Sequence, residues 1–98
     1  MSLVERHSLG RVTATDETGL AGFLNVPWDG AVHAWLQDVI VAKRCRRSGI
    51  GLQMVATATT AARAAGCEWL HVDFAEEHRD FYFDACGFQP TNAGPIRL

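Results

Sequence analysis

Arg46-Arg47-Ser48-Gly49-Ile50-Gly51 lies where a hydrophobic run ends and an alanine-rich, helix-patterned stretch begins. Two glycines let the backbone turn tightly and approach a ligand closely. The first turn of a helix that follows has amide N–H groups without intrahelical partners, and its dipole favours negative charge. Phosphate oxygens are the natural guests of such a turn. Lys43, Arg44, Arg46 and Arg47 put four cations in five positions, which suits a ligand with several phosphates. The P-loop pattern Gly-x-x-x-x-Gly-Lys-Ser/Thr fails, because Leu52 and Gln53 follow Gly51. The dinucleotide fingerprint Gly-x-Gly-x-x-Gly fits only through Gly49 and Gly51, since Met54 holds the third position. Two readings remain: a phosphate-binding loop of the form Arg46-x-x-Gly49-x-Gly51, or a basic turn ahead of an ordinary helix.

Upstream of the loop, Val39-Ile40-Val41 is a continuous apolar run at the end of a strand expected from Ala31 to Ala42, and it suggests burial on both faces. Leu20 to Val26 reads as the preceding strand, closed by Pro27-Trp28-Asp29-Gly30, in which Asp-Gly is a strong hairpin signal. Ser8 to Thr15 is the first strand, ahead of the turn formers Asp16-Glu17-Thr18-Gly19. The first half is thus an antiparallel meander. Downstream, Ile50, Met54, Ala58, Ala61 and Ala65 recur at helical spacing, with Gln53, Thr57 and Arg63 off that face and Gly66 as the C-terminal stop. Trp69 to Phe74 alternates as a strand. A strand, a crossover helix and a strand imply parallel pairing through a right-handed connection. Glu76 to Cys86 reads as a second helix ending at Gly87, and Phe88–Thr91 with Pro95–Leu98 as a terminal hairpin through Asn92-Ala93-Gly94.

A chain of 98 residues forms a single α/β (α+β) domain over 1–98. With 48% hydrophobic and 20% charged residues and a net charge of −2, it is expected to be globular and to use neither nucleic acid nor membrane as a general partner. No apolar run approaches a membrane span and no signal-peptide core is present, so a cytoplasmic location is expected. Cys45, Cys67 and Cys86 are odd in number and widely spaced, which argues against a disulfide framework and against a zinc site.

The order strand, strand, strand, glycine loop with helix, strand, helix, hairpin resembles the central and C-terminal parts of the GNAT N-acetyltransferase superfamily. Two motifs carry the resemblance, which covers roughly residues 8 to 98. One is Val39-Ile40-Val41 leading into Arg46-x-x-Gly49-x-Gly51 and the helix to Gly66; the other is Phe81-Tyr82-Phe83-Asp84-Ala85-Cys86-Gly87-Phe88, similar to the family's aromatic-Tyr helix closed by Gly-Phe. The resemblance implies an acetyl-CoA-dependent N-acetyltransferase with a V-shaped opening between the strand ending near Val41 and the parallel strand Trp69–Phe74. The pantetheine arm is implied to pair with main-chain groups along Val39, Ile40 and Val41, as in β-strand addition. The pyrophosphate is implied to meet Arg46, Arg47, Ser48, Gly49, Ile50, Gly51 and Leu52, with Lys43 or Arg44 adding charge and no metal taking part.

The sequence departs from the family in two ways. Only about seven residues precede the meander, where members carry a strand and two helices. The first strand is then an exposed edge, and a homodimer that covers it or completes the acceptor pocket is expected. Members also place Tyr four residues before the Gly of Gly-Phe; here that position is Phe83, with Tyr82 one further back. Either a one-residue bulge restores Tyr82 to the site, or its hydroxyl points elsewhere.

Tyr82 is the candidate general acid for the departing thiolate, and a tyrosine beside Phe81 and Phe83 is equally an ordinary core residue. Candidate bases are Asp38, His33, His78 and Glu77, with His71 and Asp73 sharing a strand face. Asp38 and His33 are five apart and face opposite sides unless a bulge intervenes. Trp28, Trp35 and Trp69 read as packing or interface residues. The acceptor is an amine-bearing molecule of unknown size, and the alternative function is a non-catalytic acyl-CoA-binding or dimerising module.

Overall fold

The computed structural model describes residues 8–98. Four strands form one sheet in the order β1 (Ser8–Asp16), β2 (Gly19–Pro27), β3 (His33–Val41) and β4 (Trp69–Val72). The first three run antiparallel, and β4 pairs parallel to β3 from His33–Trp69 to Leu36–Val72. The long helix α1 (Ile50–Ala64) supplies the crossover. The expected meander, glycine loop, helix and parallel strand are therefore present, with strand ends within a residue or two of their sequence-based limits.

Each turn has a local cause. The Asp16 side chain accepts from the Thr18 amide at 2.9 Å and closes the β1–β2 hairpin. Asp29 Oδ1 accepts from the amides of Ala31 (2.7 Å) and His33 (3.2 Å), which shapes the β2–β3 loop. The C-terminus of α1 is a Schellman motif: Gly66, at φ 90°, donates to the Arg63 carbonyl, while Cys67 donates to that of Ala62. The next amides, of Glu68 and Trp69, donate to the Val32 carbonyl and lead the chain into β4.

The core lies between the sheet and α1. Leu24 and Val26 of β2, Ala34 and Leu36 of β3, and Met54, Val55, Ala58 and Ala62 of α1 are buried together with Tyr82. The α1 stripe centres between Met54 and Val55, so Ala61 and Ala65 rotate out to solvent and Ala62 takes their place. A helix rich in alanine carries little contrast between its faces, which is why periodicity placed this stripe one residue away. Gly22 lets α1 come close: a Cβ there would lie 2.8 Å from Met54 Cε and 3.1 Å from the Ile40 carbonyl oxygen.

Two expectations are corrected. Val39-Ile40-Val41 is not buried on both faces, since Ile40 is 58% exposed while Val39 and Val41 pack against the core. The ladder with β4 stops at Leu36, so this part of β3 has a neighbour on one side only. The terminal hairpin is also absent: among the described residues, 88–98 form no strand. Pro90 and Pro95 remove two ladder donors, and a lone two-stranded hairpin off the sheet is marginal in water. The second helix does form, but as a 3₁₀ turn (Glu76–His78) followed by a π-helical turn (Phe81–Ala85).

Candidate active site

Beyond Leu36 and Val72 the two parallel strands, β3 and β4, part. A cavity of about 350 Å³ fills the split, lined by β3 from Trp35 to Val39, by Asp73, Phe74 and Ala75 after β4, and by His78 and Tyr82. Its shape depends on a bulge. The β2–β3 register runs from Phe23–Ile40 to Asn25–Gln37, so β3 spends one residue more than β2, and Asp38 sits at φ 56°. Core positions accordingly change parity along β3, from Ala34 and Leu36 to Val39 and Val41. Two adjacent polar residues, Gln37 and Asp38, mark the change and are the signal by which sequence alone could have found it.

The bulge also answers the question of Asp38 and His33. Asp38 Oδ2 accepts from Asn25 Nδ2 at 3.1 Å, and Asp38 lines the cavity. His33 instead lies against His71, with Nδ1 and Nε2 2.8 Å apart and the rings stacked, and Trp35 stacks on His71 in turn. Of the candidate bases, Asp38, Asp73 and His78 line the cavity, whereas His33, His71 and Glu77 do not. Trp28 is a structural residue whose indole N–H donates to the Ala31 carbonyl at 3.0 Å.

Tyr82 enters the cavity from a π-helical turn. The Cys86 amide donates to the Phe81 carbonyl at 3.0 Å, a five-residue step, and the Phe88 amide donates to that of Tyr82 at 2.9 Å. The turn therefore contains the one-residue expansion that sequence left as one of two possibilities. Tyr82 stacks on Phe74 at 4.8 Å and meets Phe81 and Phe88 edge-on. Burial, with a smaller contribution from Cys86, pushes its phenol above the ordinary value.

The glycine loop follows the C-terminal end of β3. A 3₁₀ turn, Lys43–Cys45, leads to Arg47 at φ 66° and Gly49 at φ 86°. The first helical bond of α1 is from the Gln53 amide to the Gly49 carbonyl, so the amides of Ile50, Gly51 and Leu52 lie before it, with no side-chain cap and no acidic residue in the first turn. Nothing would meet a Cβ on Gly49 within 4 Å, so its left-handed backbone, not crowding, demands glycine. Gly51 is different. A Cβ there would lie 3.4 Å from Phe81 Cζ and 3.7 Å from Val41 Cγ2, ordinary contact distances that show α1 starting beside β3 and the π-helical turn. Arg46, Arg47 and Ser48 are exposed in the loop, and Val39 is in the cavity.

The GNAT acetyltransferase domain model matches residues 8–90. The chain belongs to the GNAT acetyltransferase domain family. Among solved structures it is similar to glucosamine-6-phosphate N-acetyltransferase from Arabidopsis thaliana, with 19% identity, a TM-score of 0.81, and 99% of this chain and 72% of that one covered. An acetyltransferase of the GNAT family from Streptococcus pneumoniae gives 23% identity and a TM-score of 0.79, over 100% of this chain and 79% of that one. The aminoglycoside N-acetyltransferase AAC(6')-Iy, solved in complex with CoA, gives 19% identity and a TM-score of 0.77, over 94% and 75%. At these identities the likeness is one of GNAT fold. A search of curated proteins finds no match.

Proposed function

We propose that this GNAT domain binds acetyl-CoA in the opening between β3 and β4 and transfers the acetyl group to an amine acceptor. The observation that carries the reading is the parting of the two strands beyond Leu36–Val72 around a cavity that Tyr82 enters. The loop fits the phosphates of such a cosubstrate: three helix-start amides have no side-chain cap, and the exposed cations Lys43, Arg46 and Arg47 precede them in the same loop. The end of the β3–β4 ladder at Leu36 supports pairing of the pantetheine arm with main-chain groups along Val39, Ile40 and Val41, the part of β3 that β4 does not reach.

When bound, acetyl-CoA supplies an acyl group activated as a thioester. An alkylammonium acceptor near pKa 10 must first lose a proton, and Asp38, Asp73 and His78 are the cavity groups able to receive it, directly or through water. The C–N bond then forms as the C–S bond breaks. The sulfur leaves with the electron pair of that bond, and the Tyr82 hydroxyl is the acid that gives it a proton. A cytoplasmic location, with its supply of acetyl-CoA, suits this activity; among the described residues no helix is long and apolar enough to cross a membrane.

We also propose self-association. Strand β1 is a sheet edge, and the face opposite α1 presents Trp69, 61% exposed, and Ile40 to solvent. A monomer mass by sedimentation at working concentration removes this part of the reading.

Release of free thiol from acetyl-CoA in the presence of a panel of primary amines, above the enzyme-free rate, tests the activity. Saturable binding of acetyl-CoA without turnover on any amine contradicts it and leaves an acyl-CoA-binding module.

A further inference from the structure

Asp16 lies in the β1–β2 turn, outside the motif that carries the anion loop, yet it is the most heavily bonded carboxylate among the described residues. Its Oδ1 accepts from Arg44 Nη2 at 2.9 Å, from the Thr18 amide at 2.9 Å and from the Thr18 hydroxyl at 2.8 Å. Its Oδ2 accepts from Arg44 Nε at 3.3 Å and from Cys45 Sγ at 3.3 Å. Thr18 fixes the carboxylate, and the carboxylate in turn holds two consecutive residues of the 3₁₀ turn. Arg44 also donates to the Leu20 carbonyl at 3.1 Å, so its guanidinium is committed to the hairpin.

From Cys45 the bonds continue into the loop. Its amide donates to the Ala42 carbonyl at 2.8 Å, and its own carbonyl accepts from the amide (3.3 Å) and the hydroxyl of Ser48. Ser48 precedes Gly49, whose carbonyl receives the first bond of α1. Hydrogen bonds and the backbone together therefore connect Asp16, through Cys45 and Ser48, to Gly49, the residue that precedes the Ile50–Leu52 amides. The loop needs such support: Arg47 is held at φ 66°, a left-handed conformation that a side-chain-bearing residue keeps only when its surroundings impose it.

We propose that Asp16 is the positioning residue of the anion loop, fixing through Arg44 and Cys45 the turn that presents the Ile50–Leu52 amides, and that Arg44 serves this clamp instead of the phosphates. The Arg44 guanidinium holds the Asp16 carboxyl well below the usual carboxylate range, and burial pushes the Cys45 thiol up, so the acceptor stays charged and the donor stays protonated at neutral pH. The inference rests on the acetyl-CoA reading, and it reverses the simplest expectation for Arg44. A phosphate-binding arginine restrained by a carboxylate would bind better once that carboxylate lost its charge; a clamp would bind worse.

Calorimetric titration of the full chain with coenzyme A, for the wild type, Asp16→Asn, Arg44→Gln and the double variant, separates the two. S-acetylpantetheine, which lacks the phosphates, is titrated in parallel by NMR shift. The clamp predicts that each single variant raises the Kd for coenzyme A by about three- to tenfold, as expected for one lost charge-assisted contact. The double variant loses no more than the weaker single one, because both remove the same link. Affinity for S-acetylpantetheine stays unchanged. Unchanged or tighter coenzyme A binding in Asp16→Asn, additive losses, or an equal loss for both ligands overturns the clamp. Arg44→Gln weakens binding under either role, so Thr18→Ala, which removes the hydroxyl bond to the carboxylate and touches neither cation, decides the matter if Asp16→Asn folds poorly: the clamp predicts weaker coenzyme A binding, and unchanged or tighter binding overturns it. No binding of coenzyme A by the wild type instead overturns the acetyl-CoA reading on which the clamp depends.

Discussion

Tyr82 shows how much a single residue's neighbours decide. The aromatic run Phe81-Tyr82-Phe83 was visible as a candidate site, but sequence spacing alone put Phe83 where the hydroxyl was needed. The π-helical turn closed by Cys86 and Phe81 changes that count, and nothing in the local residue types announces a five-residue hydrogen bond. With its phenol pushed above the usual value near 10 by burial, Tyr82 remains a proton donor throughout the neutral range. Tyr82→Phe is expected to lower kcat by about a hundredfold, the lower end of what general acid catalysis contributes, with the KM for acetyl-CoA little changed. The pH dependence has a definite sign. The folded protein keeps the phenolic proton longer than the unfolded chain, so this residue's linkage makes stability fall as pH rises through about 10, and a basic limb of kcat due to Tyr82 lies above that value. An unchanged kcat in Tyr82→Phe, measured by thiol release, removes the residue from the chemistry.

At the scale of elements, strand and helix identities were legible because they rest on periodicity and on turn chemistry. Gly66 ends α1 as a left-handed C′ residue, and Asp16 and Asp29 shape the two hairpin loops through their own side chains. What periodicity could not show was where elements approach one another. The bulge at Asp38 is a relation between β2 and β3, and the exposure of Ile40 follows from its place on the sheet face away from the core, neither of which a run of apolar residues contains. Gly22 is the clearest case. It reads as an unremarkable strand glycine, yet it sets the distance between β2 and α1, since any Cβ would press on Met54 and on the Ile40 backbone. Gly22→Ala is expected to destabilise the protein by about 1–3 kcal/mol through overpacking, measured by urea unfolding. A neutral result would mean that Met54 swings aside and that α1 is less tightly seated on the sheet than its burial indicates.

For the whole molecule, the fold class was readable because the order of elements around one glycine loop is specific. The Val39–Val41 strand, the loop and the Phe81–Phe88 motif occur in an order and separation that few α/β arrangements share. The terminal segment was not readable in the same way. A turn signal at Asn92-Ala93-Gly94 says that a hairpin is locally permitted, but pairing needs a partner surface, and residues 88–98 lie outside the sheet. The site is assembled from both halves of the chain: the meander supplies β3 and the Asp16 clamp, and the second half supplies the helix start, β4 and Tyr82. A ligand spanning the loop and the cavity should therefore stabilise the molecule as a unit. Thermal unfolding with increasing acetyl-CoA, compared with ATP and sulfate and repeated with the exposed-loop variant Arg46→Glu, tests this most directly. Acetyl-CoA is expected to stabilise the protein in proportion to the logarithm of its concentration above the Kd, reaching about 2.7 kcal/mol at about a hundred times the Kd, far beyond the effect of the other anions and reduced in the variant. Equal, weak shifts from all three anions, unaffected by Arg46→Glu, would contradict it and reduce the loop to a basic helix start.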